Sequence, residues 1–307
     1  MSHREIRRDF SSTPTVNSVT HMRLYSGVVN QPSNFVSIPR TLAPSRSGVL
    51  LAFETPMILK PASGAGSEHV CRIEQSKDLT DKVTSIWSNT NWGPYRTRDL
   101  IVESWCSGED YHADGFVLNG KTNLISVSKY FEKHVTQHGV RGRLGSYVLP
   151  KSYNADFYNE ISFLTSTIIE NLGLNDCIFH IEFLVDDSRI TFVEIASRIG
   201  GSGALAKSIE FGTGQNPNTQ FMSLLLEKDL VLGRKSDYTY VGFAYSSNGL
   251  SMDQENSFEC STSQILWTSD LFQITNRNTL DFTGCVFGAD NVNLLTEIFR
   301  GFHSAQS

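Results

Sequence analysis

Between positions 156 and 172 the apolar residues Phe157, Ile161, Leu164, Ile168 and Leu172 recur every three or four positions, and Gly173 follows them. That period puts the five on one face of a helix, and the glycine falls where a C-terminal cap belongs. The pattern predicts a helix from Asp156 to Leu172. Residues 203–212 and 217–230 read as two more helices, the second with Pro217 in its first turn. Residues 76–88 are compatible with a helix, and 292–302 reads as a closing one. Strand signals alternate with these. Residues 99–105 form one apolar run, and 111–131 reads as two strands around Asn119-Gly120, a strong hairpin dipeptide. Residues 56–75 read as strand, glycine-rich turn, strand. Residues 238–290 look strand-rich. The first sixteen residues are polar and predict a loose arm. Within 17–55 a short helix is expected over THMRLYSGVV, before a Pro/Ser-rich connection. The mixture predicts an α+β fold, without internal repeats or low-complexity tracts.

One stretch breaks the apolar pattern. Residues 179–203 read FHIEFLVDDSRITFVEIASRIGGSG, with Glu182 and Glu194 each inside an apolar run. Asp186-Asp187-Ser188 is turn chemistry between two strands. A turn centred on Asp187 and Ser188 sets Glu182 opposite Glu194, with Cβ atoms about 4.5–5.5 Å apart. Like charges directly opposite are destabilising, and partly buried carboxylates need a cation or a raised pKa. Mg²⁺ resolves the conflict, because hard cations take carboxylate oxygens. A register slipped by one residue, or neutralisation by Arg189 or Arg198, resolves it as well.

Two other stretches carry candidate chemistry. In PMILKPASGAGSEHV, Lys60 ends a strand, and Gly64, Gly66 and Ser67 follow. Glycines let backbone N–H groups close around an anion, and a lysine adds a point charge for phosphate oxygens. The order is not that of the P-loop, where the lysine follows the glycines. An ordinary glycine-rich hairpin is the other reading. In VESWCSGEDYHADG, a strand ends at a glutamate and a short linker precedes an acidic pair. Such a linker can present backbone groups to a flat heterocycle, with an acid beyond it for sugar hydroxyls. A charged interstrand loop would look the same.

Taken in order, ILKPASGAGS, LIVESWCSGED, HIEF and VEIASRIGG resemble the ATP-grasp fold. They are most similar to its carboxylate–amine ligases, such as the L-amino-acid ligases. The resemblance runs over roughly 17–230 and is specific in those four segments. It implies two α+β lobes clamping ATP, with chemistry through an acylphosphate. The organisation it implies is the arm over 1–16, a first lobe over 17–103 with the phosphate loop, and a second lobe over 104–233 with the metal site. A small strand-rich C-terminal extension over 234–307 would pack on the second lobe. Carried across, Lys60 binds ATP phosphates and the loop with Ser63, Gly64, Gly66 and Ser67 folds over them. The backbone of Glu103, Ser104 and Cys106 lines the adenine, Asp110 takes the ribose, and Lys129 reaches a phosphate from a neighbouring strand. Glu182 and Glu194 hold Mg²⁺, for which Mn²⁺ can substitute. Arg198, before Gly200-Gly201, holds the substrate carboxylate or the acylphosphate. His180 is a pocket residue or a packed histidine. His138, Arg141, Arg143 and Ser202 are candidates for substrate specificity.

Three positions depart from the family pattern. Val19 stands where a lysine is usual before the glycine loop, and Ala196 where many members carry a metal-binding asparagine. About sixteen residues precede the matching region, where an α/β domain of roughly 100 residues is usual. A partner chain supplying that missing surface is one expectation, and the resemblance also suggests a homodimer. The readings that follow are an ATP- and Mg²⁺-dependent ligase joining a carboxylate, plausibly an amino acid, to an amine; acyl transfer to a thiol or carrier protein; and a nucleotide-binding protein without catalysis.

Composition narrows the partners. A net charge of −6, a pI of about 5.8 and no basic run argue against nucleic acid or an anionic membrane surface. No stretch approaches the ~20 apolar residues of a membrane span, and the N-terminus has no apolar signal core. Five widely spaced cysteines without a CxxC fit idle thiols in a reducing cytoplasm.

Overall fold

The computed structural model describes residues 41–42, 55–61, 67, 69–88, 100–133, 144–186, 189–200, 203–229, 231–246, 263–268 and 283–304. The expected arm over 1–16, Val19, the helix over THMRLYSGVV, and Ser63, Gly64 and Gly66 of the glycine loop lie outside them. So do the Asp187–Ser188 turn, His138, Arg141, Arg143, Gly201 and Ser202. The chain divides into two compact units, one of residues 1–108 and 183–198, the other of 109–182 and 199–307.

The first unit carries a four-stranded sheet in the order β1-β4-β2-β3. Its strands are β1 (Thr41–Leu42), β2 (Met57–Pro61), β3 (Cys71–Ile73) and β4 (Leu100–Ser104), all paired antiparallel. Alternation along β2 sends Met57 and Leu59 to the core and Ile58 and Lys60 to the other face. Met57 and Leu59 meet Ile73, Leu100 and Val102 and two residues of α1 (Leu79–Ser88), Leu79 and Ile86. The sevenfold spacing of those two gives the helix one buried face. Each fully buried aliphatic side chain there stabilises by about 1.5–3 kcal/mol. The expected helix over 76–88 begins as a single 3₁₀ turn over Ser76–Asp78.

The other sheet has eight strands. Its strands are β5 (Glu109–Leu118), β6 (Lys121–Tyr130), β7 (Gly145–Val148), β8 (Cys177–Asp186), β9 (Arg189–Ala196), β10 (Tyr240–Ser246), β11 (Ser263–Thr268) and β12 (Thr283–Ala289). Their order is β11-β12-β10-β7-β6-β5-β8-β9, so β8 and β9 are neighbours joined by two residues, as the turn chemistry predicts. Strands β5 and β6 meet at Asn119 and Gly120, both with φ positive, the conformation a type I′ hairpin requires. Helix α2 (Ala155–Leu172) matches the apolar period. Asn154 caps it, accepting a hydrogen bond from the Phe157 N–H at 3.1 Å, and Gly173 closes it at φ 63°. Such a cap contributes about 1 kcal/mol.

Within residues 238–290, the described strands β10, β11 and β12 belong to this sheet. Strand β10 pairs with β7, Val241 opposite Val148, and with β12, Phe243 opposite Val286. Their apolar side chains share one core with Phe116 and Ile125 and with Leu205 and Ile209 of α3 (Gly203–Thr213). The closing helix α5 (Val292–Ser304) buries Leu295, Ile298, Phe299 and Phe302 at helical spacing. Its Phe299 stacks on Phe131 at 4.3 Å between ring centroids. Helix α4 (Pro217–Leu225) ends five residues before the expected Leu230. There Glu227 turns left-handed, at φ 52°, and the Lys228 N–H reaches back to the Ser223 carbonyl.

Candidate functional site

In the first unit, Lys60 and Glu103 lie on neighbouring strands, with Ile58 opposite Glu103 and Lys60 opposite Ile101. Alternation puts both on the sheet face away from the apolar core, and Lys60 Nζ meets Glu103 Oε2 at 2.6 Å. Both side chains are buried, the lysine at 4% exposure. The sequence assigns Lys60 to a phosphate and Glu103 only its backbone. The structure shows the Glu103 carboxylate as the lysine's partner. Ser67, the last residue of the expected glycine loop, and His69 just after it hold φ of 55° and 58°. For residues other than glycine this is a sparsely populated conformation of a kind that clusters at ligand clamps.

After β4 the expected adenine-lining segment continues. The Trp105 N–H donates to the Pro56 carbonyl at 3.2 Å, and Arg72 stacks 4.2 Å over the Trp105 ring. Ser107 Oγ donates to Asp186 Oδ2 at 2.5 Å. The Cys106 thiol, half-buried, is pushed up by burial, only partly opposed by Arg189. It is therefore a packed thiol rather than a nucleophile. Burial likewise raises Cys71, and takes Cys177 up to about 11. Glu194 is half-buried on β9, and Arg198 is half-buried just past its end. Ala196 closes that strand, buried.

In the second unit Asp110 stands half-buried at the start of β5. Lys129 points away from the residues described next. It lies 5.5 Å over the Tyr111 ring and 3.7 Å from Glu109, on the sheet face opposite its neighbour Tyr130.

Glu182 is half-buried on β8, and its Oε1 accepts from Tyr130 OH at 3.3 Å and from His180 Nε2 at 3.4 Å. Behind it runs a buried polar chain. His180 Nδ1 lies 2.8 Å from Asp114 Oδ1, His112 Nδ1 lies 2.5 Å from Asp114 Oδ2, and His112 Nε2 meets Ser146 Oγ at 2.7 Å. His112 and Asp114 are completely buried. Burial would push the Asp114 carboxyl up, but the charges and hydrogen bonds of His180 and His112 hold it well below the usual carboxylate range. Burial would lower His180, yet Asp114 and Glu182 raise it to about 10. It is thus an imidazolium donating both N–H groups to carboxylates. His112 is lowered by burial, which Asp114 only partly opposes. It stays neutral, donating to Asp114 and accepting from Ser146.

Of this chain the sequence reading singles out only His180 and Glu182. His112, Asp114, Tyr130 and Ser146 are missed. The signal was present in YHADGFV, where two polar residues alternate inside an apolar strand, the same anomaly that marks the two glutamates. Among the described residues no helix is long and apolar enough to cross a membrane.

Dapdiamide A synthase from Enterobacter agglomerans is 23% identical over 150 residues, covering 48% of this chain and 34% of that protein. The match spans about a third of that relative's length. Among solved structures, the L-amino acid ligase from Bacillus licheniformis superposes with a TM-score of 0.59 at 15% identity, over 88% of this chain and 67% of that one. A biotin carboxylase domain of Hydrogenobacter thermophilus 2-oxoglutarate carboxylase, a dimer in complex with MgADP, ADP and bicarbonate, gives 0.55 at 13%, over 77% and 54%. These likenesses are of fold. Residues 53–205 match the family model of the ATP-grasp domain, a span that holds Lys60, Glu103, Asp110, Glu182, Glu194 and Arg198, and that part of the chain is an ATP-grasp domain.

Proposed function

We propose that the protein is an ATP- and Mg²⁺-dependent ligase that joins a small carboxylate, such as an amino acid, to an amine through an acylphosphate. The observation that carries this reading is the pair Glu182 and Glu194, two half-buried carboxylates on neighbouring strands of one sheet, joined by two residues. All-oxygen donors of this kind fit a hard divalent cation. Bound there, the cation neutralises phosphate oxygens. Lys60 and the backbone around Ser63, Gly64, Gly66 and Ser67 hold the phosphates. Glu103, Ser104 and Cys106 line the base, and Asp110 accepts from the ribose. A substrate carboxylate oxygen attacks the γ-phosphorus and ADP leaves. The amine nitrogen then attacks the acyl carbon, inorganic phosphate leaves, and the nitrogen gives up a proton. Arg198 holds the carboxylate and then the acylphosphate, whose charge spreads over its oxygens.

The Lys60–Glu103 contact favours a second reading, a nucleotide-binding protein without turnover, because the lysine already has an anion. Amine-dependent ADP release across a panel of amino acids separates the two. Turnover that is lost in a folded Glu194→Gln variant supports the ligase. Turnover that survives in that variant overturns the metal assignment, and release that needs a thiol in place of an amine moves the acceptor to a carrier arm.

A further inference from the structure

We propose that His112, Asp114 and His180 are positioning residues, a rigid relay whose task is to fix the Glu182 carboxylate in the orientation that receives a divalent cation. The inference rests on the reading of Glu182 as a metal ligand.

The relay runs across three strands. Ser146 on β7 anchors His112 on β5, Asp114 bridges His112 and His180 on β8, and His180 ends on Glu182 Oε1, where Tyr130 from β6 also donates. Its inner members are almost wholly buried, whereas Glu182 is half-buried and is the one member that reaches the surface. Two aspects of the backbone exist to hold it. The register of β5 on β6 shifts between Asp114, opposite Ser126, and Gly115, opposite Leu124. That bulge re-aims the side chain beside it. Gly115 has no room for a Cβ, which would run into the Asn123 carbonyl oxygen and Phe179. At the other end, a Cβ on Gly200 would overlap the His180 ring. The glycine that follows Arg198 in RIGG therefore makes the space the imidazole occupies.

A buried polar cluster of this size is costly unless every group is satisfied. A purely structural role would be served as well by apolar side chains, as in the core around Phe243 and Ile209. Orientation of a metal ligand is a task apolar groups cannot perform. Carboxylate ligands are held by such outer hydrogen bonds, and removing the outer partner weakens metal affinity by roughly 10–100-fold. The His112, Asp114 and His180 donor atoms also lie within 4.8 Å of one another. Yet each Asp114 oxygen already sits at hydrogen-bonding distance from an imidazole nitrogen, so the arrangement is a relay and not a ligand set.

The test measures Mn²⁺ binding by the paramagnetic resonance of the free ion, with a non-hydrolysable ATP analogue present, and nucleotide binding without metal as its companion. Asp114→Asn keeps shape and volume but cannot accept from both rings. The expected result is Mn²⁺ affinity lowered at least tenfold, with metal-free nucleotide affinity and near-ultraviolet circular dichroism unchanged. His180→Gln, which cannot span Asp114 and Glu182 together, decides the matter should Asp114→Asn fail to fold. Unchanged Mn²⁺ affinity in a folded variant overturns the relay while leaving the ligase reading intact. Wild-type protein whose nucleotide binding ignores Mn²⁺, or a Glu182→Gln variant that binds Mn²⁺ as wild type does, overturns the metal assignment and the relay with it. Stoichiometric zinc in the purified protein, lost in His112→Gln, overturns the relay in favour of a metal at the triad itself.

Discussion

Each unit of the molecule buries charge in a sheet, and the two do it differently. In the four-stranded sheet, Lys60 and Glu103 form one contact through two long side chains from neighbouring strands. In the eight-stranded sheet, short and stiff side chains pass hydrogen bonds from Ser146 through His112, Asp114 and His180 to Glu182. A lysine on a four-carbon stem can leave one anion for another and keep its stem packed. An aspartate gripped from both sides by imidazoles cannot. The first arrangement suits the exchange of a carboxylate for a phosphate that the role proposed for Lys60 requires. The second suits a residue that must not move.

The largest effect should come from removing the hub of the rigid chain. Asp114→Ala leaves a buried imidazolium without its acceptor and should cost about 3–5 kcal/mol in urea unfolding. Glu103→Ala should cost less, about 1–3 kcal/mol, because the lysine can swing its ammonium toward water. Equal losses in the two variants would erase the contrast between exchangeable and fixed pairs. A smaller and graded effect belongs to pH. The Asp114 carboxyl is depressed in the folded state, so its stabilisation is present above the unfolded pKa of about 3.9 and is lost as pH falls through the folded value. Acid unfolding followed by circular dichroism should therefore be shallower below pH 4 in Asp114→Asn than in wild type. An unaltered acid limb would show that the carboxylate is not gripped as described. The smallest effect is expected at Ser126 and Ser128, which oppose Asp114 and His112 across β5 and β6 and bury hydroxyls with no hydrogen-bond partner among the described residues. Ser128→Ala should change thermal stability by less than about 0.5 kcal/mol, or raise it slightly, because no bond is lost. A loss above about 1 kcal/mol would place that hydroxyl in the relay.

Much of the frame was legible along the chain. The helix over 156–172, its glycine cap, the Asn119-Gly120 hairpin and the two-residue link between β8 and β9 all follow from period and turn chemistry, which are local. The joining of β10 to the main sheet was not legible, because its pairing with β7 is a contact between positions more than ninety apart in number. Lys129 shows a different limit. Its position on a strand could be read, but the face it takes depends on the register of β6, and that register turns it toward Tyr111 and Glu109.

The site divides along the same line. Residue type and spacing alone mark Lys60, Glu182 and Glu194, since a charge inside an apolar strand is an anomaly wherever the strand packs. They could not supply the partners. Glu103 as the lysine's counter-ion joins two strands of one sheet, and the path from Ser146 to Glu182 joins three strands of the other, in orders that only the folded sheets establish. A local pattern announces that a buried charge must be satisfied; which group satisfies it is decided by strand order, register and a single bulge.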